Sequence, residues 1–349
     1  MKKKVLMLVG AALMATFSTA VAQQKPQYSQ YMVNNYLLNP AITGIEDYTD
    51  LRMGVRRQWV GLEGAPETMY LSFHTPINKP TKGTRRGGSS RVGGLRRRMP
   101  TASGGVSRPG NTNRFYTGFA HHGLGGLIHT DRTGPLRRTS LLASYAYHLP
   151  VTRRINVAGG LSTGLIRNSV DIPYLRMVNP SDPAIRADLN ENLMDMNLGL
   201  WVYSQDFFVG MSGAQLIPAR SDFRSTASPD GPGKLQKHYF LTGGYRFRVS
   251  DQFHVIPSVM AKLAQPSPVS FDVNLRAIYA DRVWVGASYR HQDAIVALLG
   301  LNINPLLDVS YSYYATSSNL NRVSTGSHEI VLGFKLLNRG RVICPQFLW

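Results

Sequence analysis

From Asp272 to Arg290 the side chains alternate. Val273, Leu275, Ala277 and Tyr279 fall on one face, against Asp272, Asn274 and Arg276 on the other. After Ala280 and Asp281 the alternation resumes, with Val283, Val285, Ala287 and Tyr289 against Arg282, Gly286, Ser288 and Arg290. A period of two marks strands with unlike faces, and the short break between the runs predicts a tight turn. The pattern recurs. Tyr239, Leu241, Tyr245 and Phe247 stand against His238, Thr242, Arg246 and Arg248. Met194, Met196, Leu198, Leu200 and Val202 oppose Asp195 and Asn197, Leu307, Val309, Tyr311 and Tyr313 oppose Asp308, Ser310 and Ser312, and Ile330, Leu332 and Phe334 oppose Glu329 and Lys335.

Fourteen strands are predicted, starting near Leu51, Thr68, Phe115, Arg138, Ile155, Leu193, Phe207, His238, Phe253, Val269, Arg282, Ala294, Leu306 and Ser327. Most run about ten residues, the length a tilted strand needs to cross a bilayer. An even number of antiparallel strands suits an outer-membrane barrel, whose apolar face meets lipid and whose polar face lines the lumen. Pro257 falls inside a predicted strand, where it marks a weak point or a bulge. From Ile155 onward the connections after even-numbered strands are short. Most of those after odd-numbered strands, such as 169–192, 216–235 and 316–326, are longer. Short turns face the periplasm in such barrels and long loops the exterior, so both chain ends are expected in the periplasm. The expected fold is an all-β outer-membrane antiparallel barrel of about 14 strands over 51–336, with a C-terminal tail at 337–349.

Two segments change the picture at the N-terminal side. Residues 1–22 read as a cleaved secretory signal peptide, with Lys2, Lys3 and Lys4 before an apolar run and an A-x-A-like site ending at Ala22. The apolar run is shorter than a membrane-spanning helix requires. The stretch 79–114, between the second and third strands, holds ten basic residues and no acidic one, with abundant Gly and Ser. It reads as a flexible basic insertion suited to anionic headgroups or an acidic partner.

The formal net charge is +19, and it stays strongly positive without the three leader lysines. Such an excess suggests an anionic partner. For an exported chain that means outer-membrane lipid or an acidic protein surface, and no nucleic acid. Cys344 is the one cysteine, which excludes an intrachain disulfide.

Catalytic constellations find little support. His121 and His122 are neighbours on a strand and point to opposite faces, so with His129 and Asp131 they make a poor metal set. Ser327, His328 and Glu329 are consecutive and cannot converge as a triad does. The glycines from Gly123 to Gly126 do not sit between a strand and a helix, so a phosphate cradle is unsupported. No enzyme activity, metal or cofactor is expected.

The local motifs are more telling. "QYSQYMVNNYLLNPAITG" at 27–44 is followed by "RRQWVGLEGAPETMYLSFHTPI", "GLGGLIHTDRTGP", "YAYHLPV" and "GSHEIVLGF". In this order and spacing they resemble the PorP/SprF family of Bacteroidota outer-membrane proteins, over 27–334. The chain departs from the family pattern in the insertion 79–114, at Tyr314, where an acidic residue is common, and in a longer tail. The resemblance implies a barrel accessory to type IX secretion that helps export or anchor a secreted surface protein bearing a C-terminal sorting domain, in some members for gliding motility. It also implies periplasmic partners linked to the secretion machinery or to peptidoglycan.

Three sets of residues become candidates. The segment 23–50 has aromatic and amide side chains without alternation. Tyr28, Tyr31, Asn34, Asn35, Tyr36 and Asn39 are expected to enter the lumen from the periplasm and close it by bonding to the wall. Arg246, Asp272, Arg276, Arg290, Asp308 and Glu329 are expected to face the lumen. In a second reading, an outer-membrane pore for anionic solutes, Arg246, Asp272, Arg276 and Arg290 would select the solute. Tyr174, Arg176, Arg186, Arg220, Phe223 and Arg224, on loops 169–192 and 216–235, are expected to dock the secreted partner, since aromatic and guanidinium groups dominate interface anchors.

Overall fold

In the computed structural model, the described residues are 28–79, 120–171, 190–218, 236–264, 267–291, 293–317, 324–339, 342–345 and 347. They form one closed sheet. The strands are β1 (Thr49–Arg57), β2 (Glu67–Ile77), β3 (His121–Thr133), β4 (Leu136–Pro150), β5 (Asn156–Val170), β6 (Asn190–Tyr203) and β7 (Phe207–Ala214). Then follow β8 (His238–Tyr245, continued by Phe247–Arg248), β9 (Phe253–Ala264), β10 (Ser270–Tyr279), β11 (Val283–Arg290), β12 (Ala294–Asn302), β13 (Leu307–Thr316) and β14 (Ser327–Leu336). Each strand pairs antiparallel with its neighbours in sequence, and β14 returns to β1, from Thr49↔Leu336 to Arg57↔His328. Closure pairs backbone groups around the whole ring and leaves no edge, the condition for crossing hydrocarbon with strands.

The strand starts follow the alternation to within a few residues. The third begins at His121, and residues 80–119 lie outside the described set. Pro257 causes no bulge. Val255↔Phe247 and Ser258↔Gly244 share one register, while Pro257 has no N–H to offer between them. That missing donor accounts for the interruption of β8 at Arg246.

The two faces sort as the period predicts. Leu241, Leu275, Val285 and Leu332 are exposed on the outer wall, while Thr242, Asn274, Arg276 and Val331 are buried inside. Val309 is half-buried, between the inward Asp308 and Ser310. Exposed outer aromatics gather near the strand ends. Tyr145, Tyr147, Tyr245, Phe247 and Tyr279 lie toward one mouth, and Tyr239, Phe271, Tyr289 and Tyr313 toward the other. Aromatic girdles of this kind mark the two bilayer interfaces.

One mouth carries the short connections 151–155, 204–206, 249–252, 280–282 and 303–306, together with the start of β1 and the end of β14. We call it the turn mouth. The other carries 58–66, 134–135 and the connections through 172–189, 219–235 and 318–323, which lie outside the described residues. The core sits within the barrel. It includes Tyr28, Tyr31, Met32, Val33, Tyr36, Leu37, Ala41, Ile42 and Ile45 of the N-terminal segment, packed with wall residues such as Trp201, Phe240 and Trp284.

Candidate functional site

The segment 28–48 lies inside the barrel and runs along its length. Tyr28 packs edge-on against Tyr70, and Ser29 N donates to Glu329 Oε2 at 2.7 Å, three and two residues from the far ends of β2 and β14. At the other end, Gly44 approaches Thr75, Pro76 and Gly123 beside the turn mouth. Tyr28, the first described residue, sits toward the mouth opposite β1's start, and the N-terminal chain end itself lies outside the described residues. Two short 3-10 turns, Asn35–Leu37 and Pro40–Ile42, take up its length. Asn39 caps the second, with its Oδ1 accepting from Ala41 N at 2.9 Å, and Pro40 presets the first position.

Its polar groups reach strands all around the ring. Gln30 Nε2 donates to Glu329 O at 2.8 Å, and Ser310 Oγ donates to Gln30 Oε1 at 2.6 Å. Asn274 Nδ2 donates to Tyr31 Oη at 2.7 Å, Asn34 Nδ2 to Ser72 Oγ at 3.0 Å, and Tyr36 Oη pairs with Ser144 Oγ at 2.6 Å. Asn39 Nδ2 donates to Leu200 O and Met211 O at 3.0 and 3.2 Å, and Ser212 Oγ donates to Leu38 O at 2.7 Å. Of the six residues expected there, Tyr31, Asn34, Tyr36 and Asn39 bond to the wall. Tyr28 contributes its ring, and the Asn35 side chain has no hydrogen bond among the described residues. The tyrosines are desolvated.

Close approach is made possible by glycines on the wall. A Cβ at Gly160 would overlap the backbone of Pro40 and Ala41, and one at Gly123 would overlap Thr43. Gly44 itself has φ 75° and a backbone neighbour on every side. Gly123 and Gly125 thus let the segment approach the wall, whereas Gly126 faces the Phe73 ring.

Three histidines clamp the turn-mouth end of the segment, and the sequence reading missed this set. Gly44 N donates to His74 Nδ1 at 3.3 Å, His121 Nε2 meets Gly44 O at 3.1 Å, and His148 Nε2 meets Thr43 O at 2.8 Å. A carbonyl can only accept, so His121 and His148 each carry a proton on Nε2. Nδ1 of neutral His148 then accepts from Tyr203 Oη at 2.9 Å. The His121 and His148 rings stack at 4.4 Å. His122 points outward to Tyr145 and Tyr147, and no metal-binding group exists among the described residues. The inward face of β3 and β4 was readable from alternation, but the backbone that these rings hold was not.

The six charges expected in the lumen are placed as follows. Asp272 and Arg290 form a buried pair at 3.0 Å, with Asp293 3.7 Å from Arg290. Asp308 stands 3.8 Å from Arg52 and 3.3 Å from Lys335, while Arg52 also holds Asp50 at 2.9 Å. Glu329 faces Arg56 at 4.0 Å, and Arg246 faces Asp281 at 3.6 Å. Arg276 lies over the Trp284 ring at 5.4 Å. Tyr314, the departure from the family pattern, offers its ring to Arg56 and Arg290 at 5.4 and 5.6 Å, so two guanidiniums share one aromatic ring. Asp50, Arg52, Arg56 and Lys335 complete the network, and the alternation "TDLRMGVRR" in β1 carried the signal for the first three.

The C-terminal tail folds back onto the turn mouth. Lys335 Nζ donates to Ile343 O, Phe347 N donates to Glu46 Oε1 at 2.8 Å, and the Phe347 ring stands edge-on to Tyr203 at 5.2 Å. Lys79 ties the same corner together through Asp47 at 2.8 Å and Ile45 O at 2.6 Å. Tyr174, Arg176, Arg186, Arg220, Phe223 and Arg224 lie outside the described residues, as do the leader 1–22 and the basic insertion beyond Lys79.

The family model described as type IX secretion system membrane protein PorP/SprF matches residues 20–334. No curated protein matches the chain. Similar solved structures include the CymD monoaromatic hydrocarbon channel, at 14% identity and TM-score 0.43, covering 88% of this chain and 91% of that one. The Acinetobacter baumannii outer membrane protein Omp33 matches at 9% identity and TM-score 0.43, covering 84% and 100%. The P. putida toluene transporter TodX matches at 8% identity and TM-score 0.44, covering 86% and 93%.

Proposed function

The chain belongs to the PorP/SprF family, and from that membership in an outer-membrane component of type IX secretion we propose that it acts by holding a partner, not by conducting a solute. The partner is a secreted surface protein, bound through its C-terminal sorting domain and thereby exported or anchored, with gliding motility as one use of the anchor. Periplasmic proteins linked to the secretion machinery or to peptidoglycan would meet the turn mouth.

The observation that carries this reading is the segment 28–48, hydrogen-bonded to strands around the ring. In this reading Tyr28, Tyr31, Asn34, Asn35, Tyr36 and Asn39 form a plug. A pore selecting anions with Arg246, Asp272, Arg276 and Arg290 needs an open path, and it needs charges not already matched. Asp272 and Arg290 already satisfy each other at 3.0 Å.

Two measurements test the proposal. The purified barrel in a planar bilayer should pass no steady current, and deletion of 23–39 should open it. A large current from the intact barrel would favour the pore. Replacing 221–234 with a short Gly/Ser linker should leave a heat-modifiable barrel and release the secreted partner into the medium. Full retention would take that loop out of the proposal and make 79–114 the next docking surface to test.

A further inference from the structure

Arg276 differs from the other inward charges. Its side chain is buried in β10, yet among the described residues it has neither a hydrogen bond nor a carboxylate within ion-pair distance. Its contact is the Trp284 face. Its nearest titratable neighbours are Cys344, whose thiol is neutral at physiological pH, and the two cations Arg52 and Arg246. Arg52 is taken up by Asp50 and Asp308, and Arg246 by Asp281. A guanidinium has five N–H donors, and removing it from water without an acceptor is unfavourable.

Arg276 lines a cavity of about 10 Å³ between wall and segment. The lining includes Asn35, whose amide has no hydrogen bond among the described residues, together with Tyr31, Ser258 and Thr242, the last donating its hydroxyl to Gly210 O at 3.4 Å. Tyr31 and Ser258 each accept from Asn274 Nδ2, at 2.7 and 3.3 Å, which leaves their own protons to donate. The remaining lining is apolar. Arg276, Asn35, Tyr31 and Ser258 thus bring unspent donors to a small space whose lining holds no carboxylate.

We propose that this cavity is a halide site, in which Arg276 of the wall and Asn35 of the internal segment hold one chloride ion between them. A space of this size suits a monatomic ion. The ion would neutralise Arg276 and bridge segment to wall, so the seating of the segment depends on the anion. This goes beyond the reading of a partner-holding barrel and does not depend on which partner is held.

The test uses the full chain in detergent, with sodium chloride titrated against sodium gluconate at constant ionic strength and heat unfolding followed by gel mobility. The native midpoint should rise and saturate with chloride, and the rise should be absent in Arg276→Gln. A flat native response, or an equal rise in both proteins, would overturn the site, and the cavity would then hold water. A second readout stands on the native chain should Arg276→Gln not assemble. Bromide at the site would quench a fluorescence component that Trp284→Phe lacks, because the guanidinium carbon stands 5.4 Å from the Trp284 ring. No such component in the native protein would also overturn the site.

Discussion

Gly160→Ala places one methyl group where the wall meets the internal segment. The new Cβ would overlap backbone atoms of Pro40 and Ala41, and backbone cannot rotate away as a side-chain tip can. The second 3-10 turn must lift. Overpacking of this kind costs about 1–3 kcal/mol. Lifting the turn also strains the bonds from Asn39 to Leu200 O and Met211 O and the bond from Ser212 to Leu38 O, each worth about 1 kcal/mol. A combined effect of roughly 3 kcal/mol raises the population with a displaced segment about a hundredfold. The adjacent Gly159→Ala is the control. Its Cβ faces outward and meets only Leu200 Cδ2 at 3.8 Å, so its effect should stay within about 0.5 kcal/mol. Limited proteolysis should cut within 28–48 much faster in Gly160→Ala, and planar-bilayer recordings should show transient openings. If the two alanine variants are indistinguishable in both assays, the segment does not press on β5 as described.

Two further outcomes follow from the wall and the tail. Leu241→Arg puts a charge on the exposed mid-strand outer face of β8, at a cost of about 2–4 kcal/mol near the bilayer midplane, so outer-membrane assembly should fall while Leu241→Met assembles normally. Burial pushes the Cys344 thiol up to about 11 from an ordinary value of 9.0. Its contribution to tail docking is therefore complete below pH 9 and lost as pH rises toward 11. Maleimide labelling should be slow in the folded protein at pH 8 and fast once it is denatured, and Cys344→Ser should remove the pH dependence of docking over that interval.

The wall was legible because a bilayer-spanning strand imposes one rule, period-two alternation, on every segment. That rule placed Arg290 and Asp272 on one face and opposite each other across a tight turn. It also pointed Arg276 inward, but it could not say that Arg276 would lack a carboxylate, since that depends on which neighbours its neighbours choose. The internal segment was legible by composition alone, because Asn and Tyr without alternation require partners that a free leader would not have. Its path was not legible. His74, His121 and His148 come from three strands, and they become a set only when the backbone of Thr43 and Gly44 passes between them. The tail gave no signal, because Phe347 finds Glu46 and Tyr203 through closure of the ring.

Glu329 joins these levels, since it lies on the seam where the last strand meets the first. It is the cross-strand partner of Arg56, its carboxylate accepts from Ser29 N at 2.7 Å, and its backbone carbonyl accepts from Gln30. The seam and the start of the internal segment thus share one carboxylate. Glu329→Ala strips the acceptor from Ser29 and leaves Arg56 without its carboxylate, held by the Tyr314 ring at 5.4 Å and by the Gln58 amide oxygen, which accepts from Nη1 and Nη2 at 2.9 and 3.0 Å. Breaking a buried pair from one side costs about 3–5 kcal/mol. Glu329→Gln keeps an oxygen for Ser29 and loses only the charge, so it should be the milder change. The heat-modifiability midpoint should fall in the order native, Gln, Ala. Glu329 and Gly160 act on opposite ends of one segment, so the double variant Glu329→Ala with Gly160→Ala should be less destabilised than the separate effects combined. Strict additivity would mean that the two ends detach independently, and that the segment does not seat as one unit.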